Sequence, residues 1–299
     1  MARPALARAT VVAGLAALVT AAGLVRAAQD ESADAVRTRL HAYLTAYEPA
    51  LGALIAEEHF TQWPHATDFG TAQSTGIRRD SARARRLRSD VAFVSLPGNV
   101  GWLGYRDVRS VNDRPVTRSG LPLEDLLRMD SDDARARAMA LLLEGARHNL
   151  GAPRTINLPS LPLELLHLRN QGRFVITGTY RDRTGDCDAL RLDLEETVRP
   201  TLIQRPGGGD MPSRVAAWVE PATGRLCRAE VRTKDAQLGA SFEALVRVDF
   251  QHDAALDLMV PVHLYEVFLD PPRFKADGEA TYTNYRRLRP GSPPGPPGS

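Results

Sequence analysis

The chain has 299 residues, 43% of them hydrophobic and 25% charged, with a formal net charge of +2. That composition is ordinary for a globular protein, and a balance so near neutral excludes the strongly basic surface by which proteins grip nucleic acid. Lys234 and Lys275 are the lysines among 38 basic residues, an arginine preference that reads as the coding bias of a GC-rich bacterium.

The N-terminus is arranged like a secretory signal. Arg3 and Arg8 precede an uncharged run from Ala9 to Val25, and Val25-Arg26-Ala27 offers small residues at the cut. Residues 1–27 are therefore expected to be a signal peptide, with cleavage after Ala27 and a product that is exported, periplasmic or extracellular. The alternative for the same run is an uncleaved anchor, but it is shorter than the roughly 20 apolar residues a spanning helix needs. No later segment reaches that length, so no transmembrane segment is expected in the mature chain.

Residues 31–60 read as helix, because Val36, Leu40, Tyr43, Leu44, Tyr47, Leu51, Leu54 and Ile55 recur at helical steps. Ser32 or Asp34 can cap its start, and Pro49 predicts a kink or a split. Residues 61–86 show little periodicity and read as loop, with the basic run Arg83-Ala84-Arg85-Arg86 as a solvated linker. Residues 87–118 change period and predict a small antiparallel meander. Its strands lie around Val91 and Phe93, then at Trp102–Val108, then as a pair across Asn112-Asp113, with a turn at Pro97-Gly98-Asn99. Residues 122–149 return to helix, broken at Asp130-Ser131-Asp132-Asp133, and Leu161–Leu166 reads as a short helix or buried turn.

From Arg173 to Tyr285 strand signals dominate: Phe174–Tyr180, Ala189–Glu195, Val215–Glu220, Arg225–Thr233, Phe242–Phe250, Met259–Phe268 and Ala280–Leu288. The tail 290–299 is mainly Pro, Gly and Ser and is expected to be disordered. The domain reading is a single composite α+β domain over 28–289. It has N-terminal helices and the small meander at 28–150 and a main antiparallel sheet at 170–289.

No motif of useful specificity for catalysis or metal binding stands in the chain, so no catalytic residue, metal site or cofactor is expected. There is no Gly-x-Ser-x-Gly elbow and no His-Glu-x-x-His. Glu57-Glu58-His59 with His65 and Asp68 is the densest titratable group, and it reads as a polar helix end. Asp182-Arg183-Thr184-Gly185-Asp186-Cys187-Asp188 has oxygen groups around a glycine but lacks the distal glutamate of a calcium loop, so it reads as a hairpin turn. Glu195 and Glu196, adjacent on a strand, point to opposite faces. Gly207-Gly208-Gly209 follows a proline and opens no helix, so it is a connection and no phosphate cradle. Cys227 lies in phase with Ala229 and Val231 and is expected on an apolar face. An exported chain permits a disulfide between Cys187 and Cys227, and two unpaired thiols are the alternative. The strand aromatics, Trp102, Tyr105, Trp218, Phe250 and Tyr282 among them, are expected mostly in the core, with lining of an apolar groove as the alternative.

The segment Trp218-Val219-Glu220-Pro221-Ala222-Thr223-Gly224-Arg225-Leu226, then Val246–Phe250, Leu258–Val262 and Ala280–Arg286, resembles the C-terminal half of the LolA/LolB-like lipoprotein-carrier superfamily. Most of the mature chain, including Arg88-Ser89-Asp90, Trp102 to Pro115 and His148–Gly151, also resembles a family of uncharacterised secreted proteins from Acidobacteria and similar bacteria. The first resemblance implies a large curved antiparallel sheet, an incomplete barrel, wrapping helices. It also implies a non-catalytic, carrier-like protein holding an apolar or lipid ligand between curved sheet and helices. The alternatives are an envelope scaffold or partner-binding protein whose core is filled, and, third, a hydrolase with an unrecognised site.

Overall fold

The computed structural model describes residues 32–65, 79–95, 102–117, 122–127, 132–205, 209–234, 242–270 and 274–288. The expected leader, the Pro97-Gly98-Asn99 turn, Asp68, Gly207-Gly208 and the tail lie outside these residues. Helix α1 spans Ala33–Gly52 and starts as expected, with Ser32 Oγ accepting from the Ala35 amide at 3.2 Å. Val36, Leu40, Leu44, Tyr47 and Leu51 form its buried stripe, and Pro49 sits within it near the end.

The helix does not run to residue 60. Strand β1, Leu54–Pro64, follows almost at once. Leu54 and Ile55 continue the helical spacing of Leu51, which explains the misreading. The strand's own signal is muted because its inward face carries Glu58 and Gln62, both fully buried, beside Ala56 and Phe60. The expected loop over 61–86 shrinks likewise: β1 ends at Pro64, and β2 already begins at Arg85 and runs to Ser95.

The remaining strands are β3 (Trp102–Val111), β4 (Arg114–Pro115), β5 (Phe174–Thr184), β6 (Cys187–Glu196), β7 (Ser213–Val219), β8 (Leu226–Lys234), β9 (Glu243–Asp253), β10 (Leu258–Asp270) and β11 (Phe274–Arg287). Asn112 and Asp113 both have positive φ, 49° and 63°, as a two-residue hairpin turn requires. All pairings are antiparallel, in the order β4-β3-β2-β1-β11-β10-β9-β8-β7-β6-β5. The meander and the main sheet are thus one eleven-stranded sheet, joined where β1 pairs with the last strand, and it does not close on itself.

The helices show that this sheet bends. Helix α4, Ser160–Leu166, touches both β3 and β8. Seven residues of helix span about 10 Å, whereas six strand spacings cover about 29 Å in a flat sheet. Both contacts are met only if the sheet wraps round the helix. Bulges at Ile55/Glu57, Arg88/Ser89, Ile176/Gly178, Trp218/Val219 and Pro261/His263 supply local bending and twist.

The inner face is filled by α1, α4 and the segment between residues 148 and 158. Leu40, Leu44, Leu51, Leu163, Leu192, Val248 and Leu264 there are at most 1% exposed. Two further helices, α2 (Leu123–Leu127) and α3 (Asp132–Arg147), pack a second cluster of Ile55, Ala92, Tyr105, Leu123, Leu126 and Ala138 on the outer side. The β1–β3 end is therefore covered on both faces, which is why neighbouring Val91, Ala92 and Phe93 are all inaccessible.

Cys227 departs from its expected face. The bulge at Trp218/Val219 pairs Leu226 with Val219, so Leu226 joins the inner cluster with Ala229 and Val231. Cys227 lies instead at the bulge, bonded to Cys187, which packs beside Ala189, Ala216 and Trp218.

Candidate binding groove

The sheet's β4 end creates a groove. Strand β4 is two residues long and pairs with Ser110 and Val111, so the Arg106–Val108 stretch of β3, paired with β2 on one side, has no β4 partner on the other. Helix α3 covers this stretch. A Cβ on Gly145 would stand 2.5 Å from the Arg106 carbonyl oxygen, so only glycine lets the helix lie this close. Beside that contact a groove of about 610 Å³ lies between α3, α2 and β3–β4. Its apolar wall is Val108, Val116, Leu126, Ala140, Leu141 and Leu143. Arg137, Glu144, Arg147 and His148 supply polar groups on the helix side.

Charge in the groove is unevenly balanced. Glu144 faces Arg147 at 3.2 Å and His148 at 3.6 Å. Burial lowers the His148 pKa, the Glu144 carboxylate opposes this, and Arg85 and Arg106 reinforce it. Arg85 Nη1 also donates to the His148 and Asn149 carbonyls, which ties the end of α3 to β2. At the opposite wall Asp107 is 4% exposed and accepts from the Leu123 amide at the start of α2. The groove thus has an apolar wall with cations at one side, and its volume is within the usual size range of ligand pockets.

Behind the groove lies a buried polar network that holds its inner wall. Arg106 donates to both oxygens of Glu58, at 2.6 and 2.8 Å, and to the Asn157 carbonyl at 3.1 Å. Tyr282 Oη donates to Glu58 at 3.0 Å. Asn157 Nδ2 donates to Asn149 Oδ1, which also accepts from Gln62 Nε2. Gln62 reaches Glu266, and Glu266 is paired with Arg154. Burial disfavours the charge on Arg106, yet the Glu58 carboxylate more than offsets it and raises the pKa above its ordinary value. Two arginines and two glutamates balance, and each has hydrogen bonds, which is the condition for keeping buried charge. The network fastens the segment after α3 to the inner face.

The residues singled out in the sequence do not converge. Glu57, Glu58 and His59 lie along a strand and not at a helix end: Glu58 faces inward to Arg106, and His59 is exposed. His65 sits at the strand's far end, 2.7 Å from Asp277, which also receives Arg79. Asp182 accepts from Trp218 Nε1 at 2.7 Å, while the Asp188 side chain is 90% exposed, so that hairpin gathers no ligand sphere. Among the described residues no group of three or more His, Cys, Asp or Glu is placed to hold a metal ion. Glu195 pairs outward with Arg214, and Glu196 is buried against Arg173 and the Leu202 and Ser213 amides. The basic run is absorbed in pairs: Arg83 with Asp80, Arg86 with Asp113, and Arg85 with backbone carbonyls.

The aromatics Trp102, Tyr105, Phe174, Trp218, Phe250, Phe268 and Tyr282 are all at most 7% exposed, Tyr180 is 55% exposed, and none lines the groove. Helices α1 and α4 pack against the inner face, and the groove lies at the sheet's β4 end, between α3 and β3. Sequence reasoning found α3 but not the groove, because its signals, Gly145 and the two-residue β4, acquire meaning only when α3 lies across β3.

No family model and no curated protein matches the chain. Solved structures do. Its structural neighbours are a DUF1329 family protein and a LolA superfamily protein. The first, from Desulfovibrio piger, is 11% identical with a TM-score of 0.37, over 84% of this chain and 92% of that one. The second, from Nitrosomonas europaea, is 12% identical with a TM-score of 0.32, over 84% and 93%. Among the described residues no helix is long and apolar enough to cross a membrane.

Proposed function

We propose that this is an exported, non-catalytic, carrier-like protein that holds an apolar or lipidic ligand in the groove between α3 and β3–β4. The observation that carries the reading is the groove itself: a preformed space of about 610 Å³ with an apolar wall and arginines on one side. Burial supplies the binding free energy, at roughly 25 cal/mol per Å² of apolar surface removed from water. Arg137 and Arg147 then favour a ligand with an anionic end. The leader-like residues 1–27 support export to the periplasm or beyond, where an envelope protein would be the exchange partner.

The alternative reading, a scaffold with a filled core, draws on a different observation: the inner face is packed by α1 and α4. Two measurements separate them. Native mass spectrometry of protein purified from its own envelope is expected to show an acyl-containing adduct. Fluorescence of N-phenyl-1-naphthylamine is expected to rise on mixing with delipidated protein, and Ala140→Trp, which fills the groove from an exposed helix position, is expected to abolish that rise with melting unchanged. A bare polypeptide mass together with no probe uptake gives the protein to the scaffold reading.

A further inference from the structure

From the outward face of α3 we infer that the protein docks on a bilayer surface carrying anionic headgroups; the inference rests on the carrier reading and names where loading occurs. Met139 and Leu143 are 45% and 53% exposed and stand one helical turn apart. With the exposed Ala136 and Ala140 they make a continuous apolar stripe at steps of three, one and three residues. The other large exposed apolar side chains among the described residues, Leu168, Val175, Tyr180 and Val198, lie on other elements.

Cations edge this stripe. Arg137 is exposed on its groove side, and Arg147 follows Leu143 by one turn with its side chain 71% exposed. Among the described side chains no carboxylate pairs with Arg137, and Glu144, the described acid beside the stripe, pairs with Arg147. An apolar face between arginines matches the boundary of headgroup and acyl chain, where such a helix sinks by about 5–10 Å.

The groove decides between a membrane and a second copy of the chain. Ala140 and Leu143 of the stripe, and the flanking Arg137 and Arg147, also line the groove. A second copy packed over the stripe would cover these residues. A bilayer surface places the mouth among acyl chains, so that a lipid tail passes from membrane to groove without crossing water.

The test is sedimentation of the purified full chain with phosphatidylcholine vesicles, with and without phosphatidylglycerol. Binding is expected to the vesicles containing phosphatidylglycerol and to weaken as salt rises. Loss of an arginine near an anionic surface is worth about fivefold in affinity, so Arg137→Gln is expected to cost that much. Met139→Asp is expected to cost roughly tenfold or more. Met139 lies outside the groove, so Met139→Asp is expected to retain probe uptake and the wild-type melting temperature. If the protein takes up the probe but sediments with neither vesicle, docking is overturned and the carrier reading stands. If it sediments without taking up the probe, docking stands and the carrier reading falls. A dimer by light scattering with vesicles unbound assigns the stripe to a second copy and overturns the inference.

Discussion

Glu58 illustrates how burial and sequence pull apart at the scale of one residue. It is fully inaccessible, yet its carboxylate is held by Arg106 and by Tyr282. Burial, and then the neighbouring Glu58, raise the Tyr282 pKa well above its ordinary value, so the phenol stays a donor. His41 behaves in the opposite way. It is 6% exposed on α1, and burial, followed by Arg37 and His167, lowers its pKa to about 4. Folding thus favours the neutral ring. The unfolded chain binds the proton more readily, so this contribution to stability is fully present above about pH 6.5 and is lost as pH falls from there toward 4. Urea unfolding at pH 7 and pH 5 is expected to show a smaller unfolding free energy at the lower pH. His41→Gln is expected to flatten part of that slope; an unchanged slope would remove His41 from the account.

At the scale of elements, β1 and α3 are the instructive pair. The sequence predicts helix up to residue 60, over the first part of β1, because Leu54 and Ile55 fit a helical step and because the strand's inward residues are polar. Helix α3 was read correctly, since Ala138, Leu141, Leu142 and Ala146 repeat at helical spacing. What could not be read was how closely α3 lies against β3. Gly145 makes this testable through opposing magnitudes. Alanine gains about 1 kcal/mol of helix propensity over glycine, while forcing a methyl against a packed neighbour costs about 1–3 kcal/mol. The neighbour is a backbone carbonyl at 2.5 Å, which has little room to give. Gly145→Ala is therefore expected to lower the unfolding free energy by about 1 kcal/mol in a chemical melt. A stabilised variant would mean that α3 stands clear of β3 and that the groove is wider than described.

For the whole molecule, the pairing of β1 with β11 and the bond between Cys187 and Cys227 matter most. The first unites the two ends of the chain in one sheet. The second closes a sequence separation of 40 residues on the outer face. Chain entropy alone assigns such a loop a stabilisation of about 4 kcal/mol. Protein from an oxidising compartment is expected to show no free thiol by alkylation and mass spectrometry. Cys187→Ser is expected to lower the urea midpoint to that of reduced wild type. Free thiols in the exported protein would leave the two cysteines unbridged.

Local pattern was enough to determine the α+β class, the seven C-terminal strands, the Asn112-Asp113 turn, the split helices at 122–149 and a cap at Ser32 or Asp34. Each depends on periodicity or on backbone preferences confined to a few neighbours. Tertiary structure alone decided that the sheet is continuous, that Cys227 leaves the face of Ala229, that Glu58 and Gln62 point inward, and that a groove lies beside α3. Those outcomes depend on contacts between residues far apart in the chain: Arg106 with Glu58, Gly145 with Arg106, β1 with β11. Buried charge compensates only when its partner arrives, and a groove exists only between surfaces that have already met, so neither leaves a mark in the order of residues.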